Sequence, residues 1–154
     1  MHLIRAAHAD DITQMLKIWL DASTQAHHFI PAYFWQAQLY NMRDIYLPMA
    51  ENHVIEQNGV VKGFVSLLKE AHYLATLFVA PESQGQGFGS QLLQFLQQQS
   101  TELNLQVYTA NTNAVQFYQK HAFQIVRESR DVHTEQPQFD MYWSVHSIQS
   151  IGTK

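Results

Sequence analysis

The sequence contains no cysteine, which excludes disulfide scaffolds, thiolate zinc sites and cysteine nucleophiles together. Charge is also scarce. Asp, Glu, Lys and Arg make up 14% of the 154 residues, against roughly 25% in an average soluble protein, and glutamine supplies much of the remaining polarity. Basic residues are outnumbered, 9 Lys+Arg against 13 Asp+Glu for a net charge of −4, so the footprint of a dedicated nucleic-acid binder is missing. No apolar run approaches the roughly 18 residues of a membrane span, and the opening Met-His-Leu-Ile-Arg lacks the apolar segment of a signal peptide. The expectation is a soluble, cytoplasmic protein with neither nucleic acid nor membrane as partner. No His-Glu-x-x-His or comparable spacing gathers the 9 histidines, so no metal site is expected. No repeat, linker or charge block divides the chain, which predicts a single domain over residues 1–146 followed by a short polar tail at 147–154.

What is present suffices for a core: 46% of residues are hydrophobic and 12% aromatic, and a chain of this size buries about 70% of its unfolded surface. Residues 2–7 read as an opening strand. Asp10 and Asp11 place acidic groups where a helix begins, and Ile12, Met15, Leu16, Trp19 and Leu20 recur at helical spacing. A loop is expected from Ser23 to Ile30, then a second helix opened by Pro31. The pattern then changes. Asn58-Gly59 between His53–Gln57 and Val60–Leu68 predicts a hairpin, because both turn residues tolerate positive φ. Strands are expected at His72–Val79, Leu103–Thr109, Phe123–Arg127 and Phe139–Val145, with helices at Phe88–Thr101 and 112–121. The resulting order, β-α-α-β-β-β-α-β-α-β-β, is that of an α/β (α+β) fold with a mixed sheet.

The sharpest local feature is the passage from Leu77-Phe78-Val79 through Ala80-Pro81-Glu82-Ser83 into Gln84-Gly85-Gln86-Gly87-Phe88-Gly89-Ser90. Glycines let main-chain amides approach an anion closely, and a helix N-terminus attracts phosphate. A Walker A loop needs Gly-Lys-Ser/Thr, and no lysine stands between Gly89 and Ser90. A dinucleotide fingerprint needs G-x-G-x-x-G and an acid about 20 residues on; the spacing here is Gly85-x-Gly87-x-Gly89 and no acid lies at that distance.

What remains resembles motif A of the GCN5-related N-acetyltransferase (GNAT) superfamily, whose Gln/Arg-x-x-Gly-x-Gly/Ala signature is matched by Gln84 to Gly89. A second block, Asn111-Thr112-Asn113-Ala114-Val115-Gln116-Phe117-Tyr118 through Phe123, resembles the family's Asn-x-x-Ala-x-x-Phe-Tyr-x-x-x-Gly-Phe, with Ala122 where glycine is usual. Ile18-Trp19-Leu20 and His27-His28-Phe29 are similar to the small single-domain bacterial members, and the resemblance covers about residues 2–145.

That resemblance implies the GNAT fold, a mixed and mostly antiparallel sheet with splayed parallel strands 4 and 5 flanked by helices. It implies acetyl-coenzyme A as co-substrate and a primary amine as acceptor, on a protein lysine, an N-terminus or a small molecule. It places the donor against Leu77, Phe78 and Val79, the loop residues Gln84 to Ser90, and Asn111, Ala114, Phe117 and Tyr118. Tyr118 is then the expected general acid for the departing thiolate, and a backbone N–H near Val79 the donor to the oxyanion. Without cysteine, direct attack in a ternary complex is expected over a cysteine-linked route. The base stays open among His27, His28, His72 and water, with His27 first, because the fourth strand has no acid after Glu70. A non-catalytic acyl-coenzyme A binding domain is the alternative, and the chain is expected to be a monomer or homodimer.

Overall fold

The structure, a computed structural model, describes residues 2–146; the expected tail at 147–154 lies outside them. The chain divides into two compact units, one ending at Leu96 and the other beginning at Gln97.

The first unit carries an antiparallel sheet in the order β1-β2-β3-β4, from β1 (His2–Ala6), β2 (Glu51–Gln57), β3 (Val60–Leu68) and β4 (Tyr73–Val79). Asn58 and Gly59 turn β2 into β3 with φ of 54° and 78°, the conformation that the dipeptide predicts. Register places Val54 opposite Phe64 and Phe64 opposite Phe78, so apolar side chains align across three strands. Helix α1 (Ile12–Ala26) buries Met15, Ile18, Trp19 and Ala22, each worth up to about 1.5–3 kcal/mol for the large side chains. Leu16 and Leu20, expected on that face, are only half-buried.

Helix α1 also runs further than its polar end suggested. Ser23 is helical and fully buried, so packing of the Ala22-Ser23 edge overrides the loop preference of Ser-Thr-Gln. The expected second helix is broken into α2 (Ala32–Ala37), α3 (Leu39–Asn41), a π-helical turn at Met42–Tyr46 and α4 (Leu47–Met49). Pro48 has no N–H to give the Asp44 carbonyl, and Leu47 donates instead to Met42, five residues back. At the start of the unit Arg5 forks onto Asp11 at 2.8 and 3.0 Å and also reaches Glu56. The guanidinium bond holds the Asp11 carboxyl down to about 2, against the opposing effect of burial. Helix α5 (Phe88–Gln99) buries Phe88, Leu92, Leu93 and Leu96.

The second unit is a sheet in the order β5-β7-β6, all antiparallel, from β5 (Glu102–Tyr108), β6 (Gln124–Arg130) and β7 (Pro137–Ser144). Helix α6 (Thr112–Lys120) lies against β5. Leu103, Leu105, Val107, Val115, Phe123, Met141 and Trp143 are buried. Edge strand β6 is almost wholly exposed and irregular between Ile125 and Arg127. Its Arg127 and Ser129 are tied to Asp140 of β7, a charged, bulged edge that discourages further strand pairing.

Candidate functional site

Two clusters emerge, one in each unit. In the first, β4 delivers Leu77, Phe78 and Val79 to the sheet's end, all half-buried and paired with Val65, Phe64 and Gly63 of β3. The Ala80 N–H donates to the Lys62 carbonyl at 2.8 Å, and a short 3-10 turn follows at Pro81–Ser83. Ser83 is buried, and the Gln84 side-chain amide donates back to the Val79 carbonyl at 3.2 Å. That bond fixes the start of the glycine turn to the end of the strand.

Residues 84–87 are exposed. Gly85 and Gly87 have φ of 82° and 87°, a region that L side chains rarely adopt. A Cβ built on Gly85 would meet nothing within 4 Å, and one on Gly87 only the Gln91 side chain at 3.9 Å. The glycines are thus required by main-chain conformation and not by crowding, and the space before the turn is open. Gln91 donates to the Gly87 carbonyl at 3.1 Å, so the turn runs directly into α5, whose first amides point out of the helix. An exposed run of amides at the positive end of a helix fits a diphosphate. Phe88, expected among ligand-binding residues, has its side chain in the core at 1% exposure, which leaves only its main chain for such a role. Gly89 and Ser90 are half-buried.

His27 caps the C-terminus of α1 and is buried, its N–H donating to the Ser23 carbonyl at 3.0 Å. Its ring lies 5.2 Å from that of Trp35 and 5.7 Å from Phe29. Burial pushes the imidazole down to about 4, partly offset by a separate hydrogen bond of the ring with the Ser23 main chain, so the ring is neutral at physiological pH. The other candidate bases are exposed: His28, packed on Phe29 at 5.6 Å, and His72, at the start of β4 with φ of 51°.

In the second unit Asn111 is the N-cap of α6. Its side-chain oxygen accepts from the Ala114 N–H at 3.3 Å, and its own N–H donates to the Tyr108 carbonyl at 3.0 Å. Capping therefore accounts for Asn111 and Ala114 in local terms. Tyr118 is half-buried, its ring 5.2 Å from Phe117 and 5.5 Å from Phe123, and its carbonyl accepts from the Phe123 N–H at 3.0 Å. Ala122, where the motif has glycine, adopts φ of 72°. The tight turn is kept and the alanine bears the strain, worth about 1–2 kcal/mol.

One contact was not foreseen. The Tyr108 hydroxyl at the end of β5 donates to Asp131, which also accepts from the His133 N–H at 2.8 Å. The β6–β7 connection is thereby pinned to the strand that leads into Asn111. The partners are 23 residues apart, and no local pattern announces such a pairing. Among the described residues no group of three or more His, Asp or Glu could hold a metal ion, and no helix is long and apolar enough to cross a membrane.

The family model described as an acetyltransferase (GNAT) domain matches residues 48–125. The peptidyl-lysine N-acetyltransferase YiaC of Escherichia coli K12 is 38% identical over 143 residues, 93% of this chain and 97% of that protein. Among solved structures, apo YjaB from Escherichia coli superposes with a TM-score of 0.81 at 24% identity, covering 93% of this chain and 97% of the other. The PaiA N-acetyltransferase of Thermoplasma acidophilum, solved in complex with coenzyme A, gives 0.79 at 16% identity over 94% and 99%. These likenesses show the expected mixed-sheet GNAT fold. On the family match and the YiaC relationship together, the chain belongs to the GNAT acetyltransferases, enzymes that carry an acetyl group from acetyl-coenzyme A to an amine.

Proposed function

We propose that this protein acetylates lysine side chains of proteins or peptides by direct amine attack in a ternary complex, as a single domain over residues 1–146 acting in the cytoplasm. The lysine acceptor is supported by the names of its relatives, the peptidyl-lysine N-acetyltransferases YiaC and YjaB. The observation that carries donor binding is the open glycine turn, with positive φ at Gly85 and Gly87 ahead of α5.

Bound there, acetyl-coenzyme A supplies the thioester carbonyl and the thiolate leaving group. The amides of residues 85–90 bind the diphosphate, and Gln84 holds the turn against Val79. The main chain of Leu77, Phe78 and Val79 lines the acyl arm and offers an N–H to the developing oxyanion, where such a donor lowers the barrier most. Asn111, Ala114 and Phe117 are assigned to the donor as well, with Asn111 holding the start of α6 through its cap. The Tyr118 hydroxyl donates a proton to the departing sulfur. The base stays open among His27, His28, His72 and water: burial lowers the His27 pKa to about 4, which weakens it as an acceptor for the amine's proton, whereas His28 and His72 are exposed.

The test is thiol release on mixing the protein with acetyl-coenzyme A and a lysine-bearing peptide. Tyr118→Phe is expected to lower kcat by about 10²–10⁴-fold with donor affinity unchanged. Equal rates for both proteins would remove the tyrosine from this role, and absence of any transfer to lysine with transfer to another amine would replace the acceptor.

A further inference from the structure

Cations are distributed unevenly along this chain. From His72 to Gln119 there is no lysine or arginine, and the acids in that stretch are Glu82 and Glu102. The stretch includes β4, the glycine turn, α5, β5 and nearly all of α6, and hence every residue to which the proposed function assigns donor binding. Most of the cations elsewhere are engaged. Arg5 is held by Asp11 and Glu56, Lys17 by Asp21 at 2.6 Å, Arg43 by Asp44, Lys69 by Glu51 and Arg127 by Asp140. Arg130 donates to the Glu135 carbonyl at 2.6 Å. Lys69 moreover lies beyond the opposite end of β4 from the turn, about 20 Å along a seven-residue strand.

Coenzyme A carries two kinds of phosphate with different demands. A diphosphate in an extended chain is well served by successive main-chain N–H groups and a helix dipole. A phosphomonoester dianion on the ribose gains most from charge-assisted bonds to Arg or Lys, and neutral glutamine amides such as Gln86 and Gln91 offer little that water does not already give. A site whose own segment supplies amides and no cation therefore recognises the diphosphate and leaves the monoester hydrated.

We propose that this enzyme does not discriminate for the 3′-phosphate of its donor, so that 3′-dephospho-coenzyme A thioesters serve nearly as well as the full cofactor. The inference rests on the donor reading above. Among the described residues two cations stand outside the pairs just named: Lys62, whose carbonyl accepts from the Ala80 N–H, and Lys120, at the far end of α6 from Asn111; the ninth, Lys154, lies outside the described residues. One of these three would have to reach the monoester for the inference to fail.

Calorimetric titration of the full chain with coenzyme A and with 3′-dephospho-coenzyme A decides it, alongside acetyl transfer from the two thioesters. The expected dissociation constants agree within about threefold, and Lys62→Gln and Lys120→Gln leave both within the same range. A direct cation–phosphate contact would favour the full cofactor by roughly tenfold or more. A preference of that size, or a selective loss of coenzyme A affinity in either lysine variant, overturns the proposal while the donor reading stands. If neither compound binds, the donor reading falls and the proposal with it.

Discussion

Gly85→Ala separates conformational strain from ligand contact. The residue sits at φ of 82° with nothing within 4 Å of where a Cβ would be, so the substitution meets no protein atom. Placing alanine in the left-handed region costs about 1–2 kcal/mol. The reduced freedom of the unfolded chain returns roughly 0.5–1 kcal/mol, leaving a net loss of about 1 kcal/mol or less. For a chain this long that is a fall in Tm of about 2–4 °C. The new methyl group instead enters the space assigned to the diphosphate. Losing one charge-assisted hydrogen bond there, about 1.5–3 kcal/mol, raises the Kd for coenzyme A roughly ten- to hundredfold. Thermal unfolding and calorimetry on the same sample read both numbers. Gly63→Ala is the contrast: its Cβ would lie 2.8 Å from the Phe78 carbonyl oxygen and 3.3 Å from Leu92, so it should lose about 1–3 kcal/mol of stability with a smaller effect on donor affinity. A Gly85→Ala protein that binds coenzyme A as the parent does would refute the assignment of the turn.

Further expectations concern His27 and Ala122. His27 has its pKa lowered from 6.5 to about 4 by burial, so the unfolded chain binds a proton there before the folded one does, and stability should fall as pH drops from 6.5 toward 4. The linked loss is at most about 3 kcal/mol; urea denaturation of His27→Gln should show a flatter pH dependence over that interval, and an unchanged slope would contradict the burial. Asp11 acts in a lower window, its contribution being lost from pH 3.8 down toward about 2. Ala122→Gly relieves the strain at φ of 72° and should stabilise by about 0.5–1 kcal/mol; destabilisation in urea would show that the alanine methyl has a packing role.

The parts of this molecule legible in its sequence are those whose chemistry is local. Asn58-Gly59 and the glycine turn owe their conformation to residues within four positions, and each appears where the spacing predicts it; the Asn111 cap is equally local and opens the helix expected at 112–121. Ser23 by itself prefers a loop end, whereas its burial within α1 comes from tertiary packing. The π-helical turn before Pro48 has its signal in the sequence, a proline one residue from the end of a helical stretch, but proline alone does not say whether a helix stops or widens. The immersion of His27 against Trp35 depends on where α2 returns to α1, and the Tyr108–Asp131 bond on the register of β6 and β7. Neither is encoded in any short window.

A crystal structure of the protein with coenzyme A bound tests the role of the glycine turn most directly. Diphosphate oxygens are expected within roughly 2.7–3.2 Å of main-chain nitrogens between Gly85 and Ser90, with the thiol end directed toward the Tyr118 hydroxyl. A cofactor bound elsewhere, or a turn whose amides face away from the diphosphate, would contradict it.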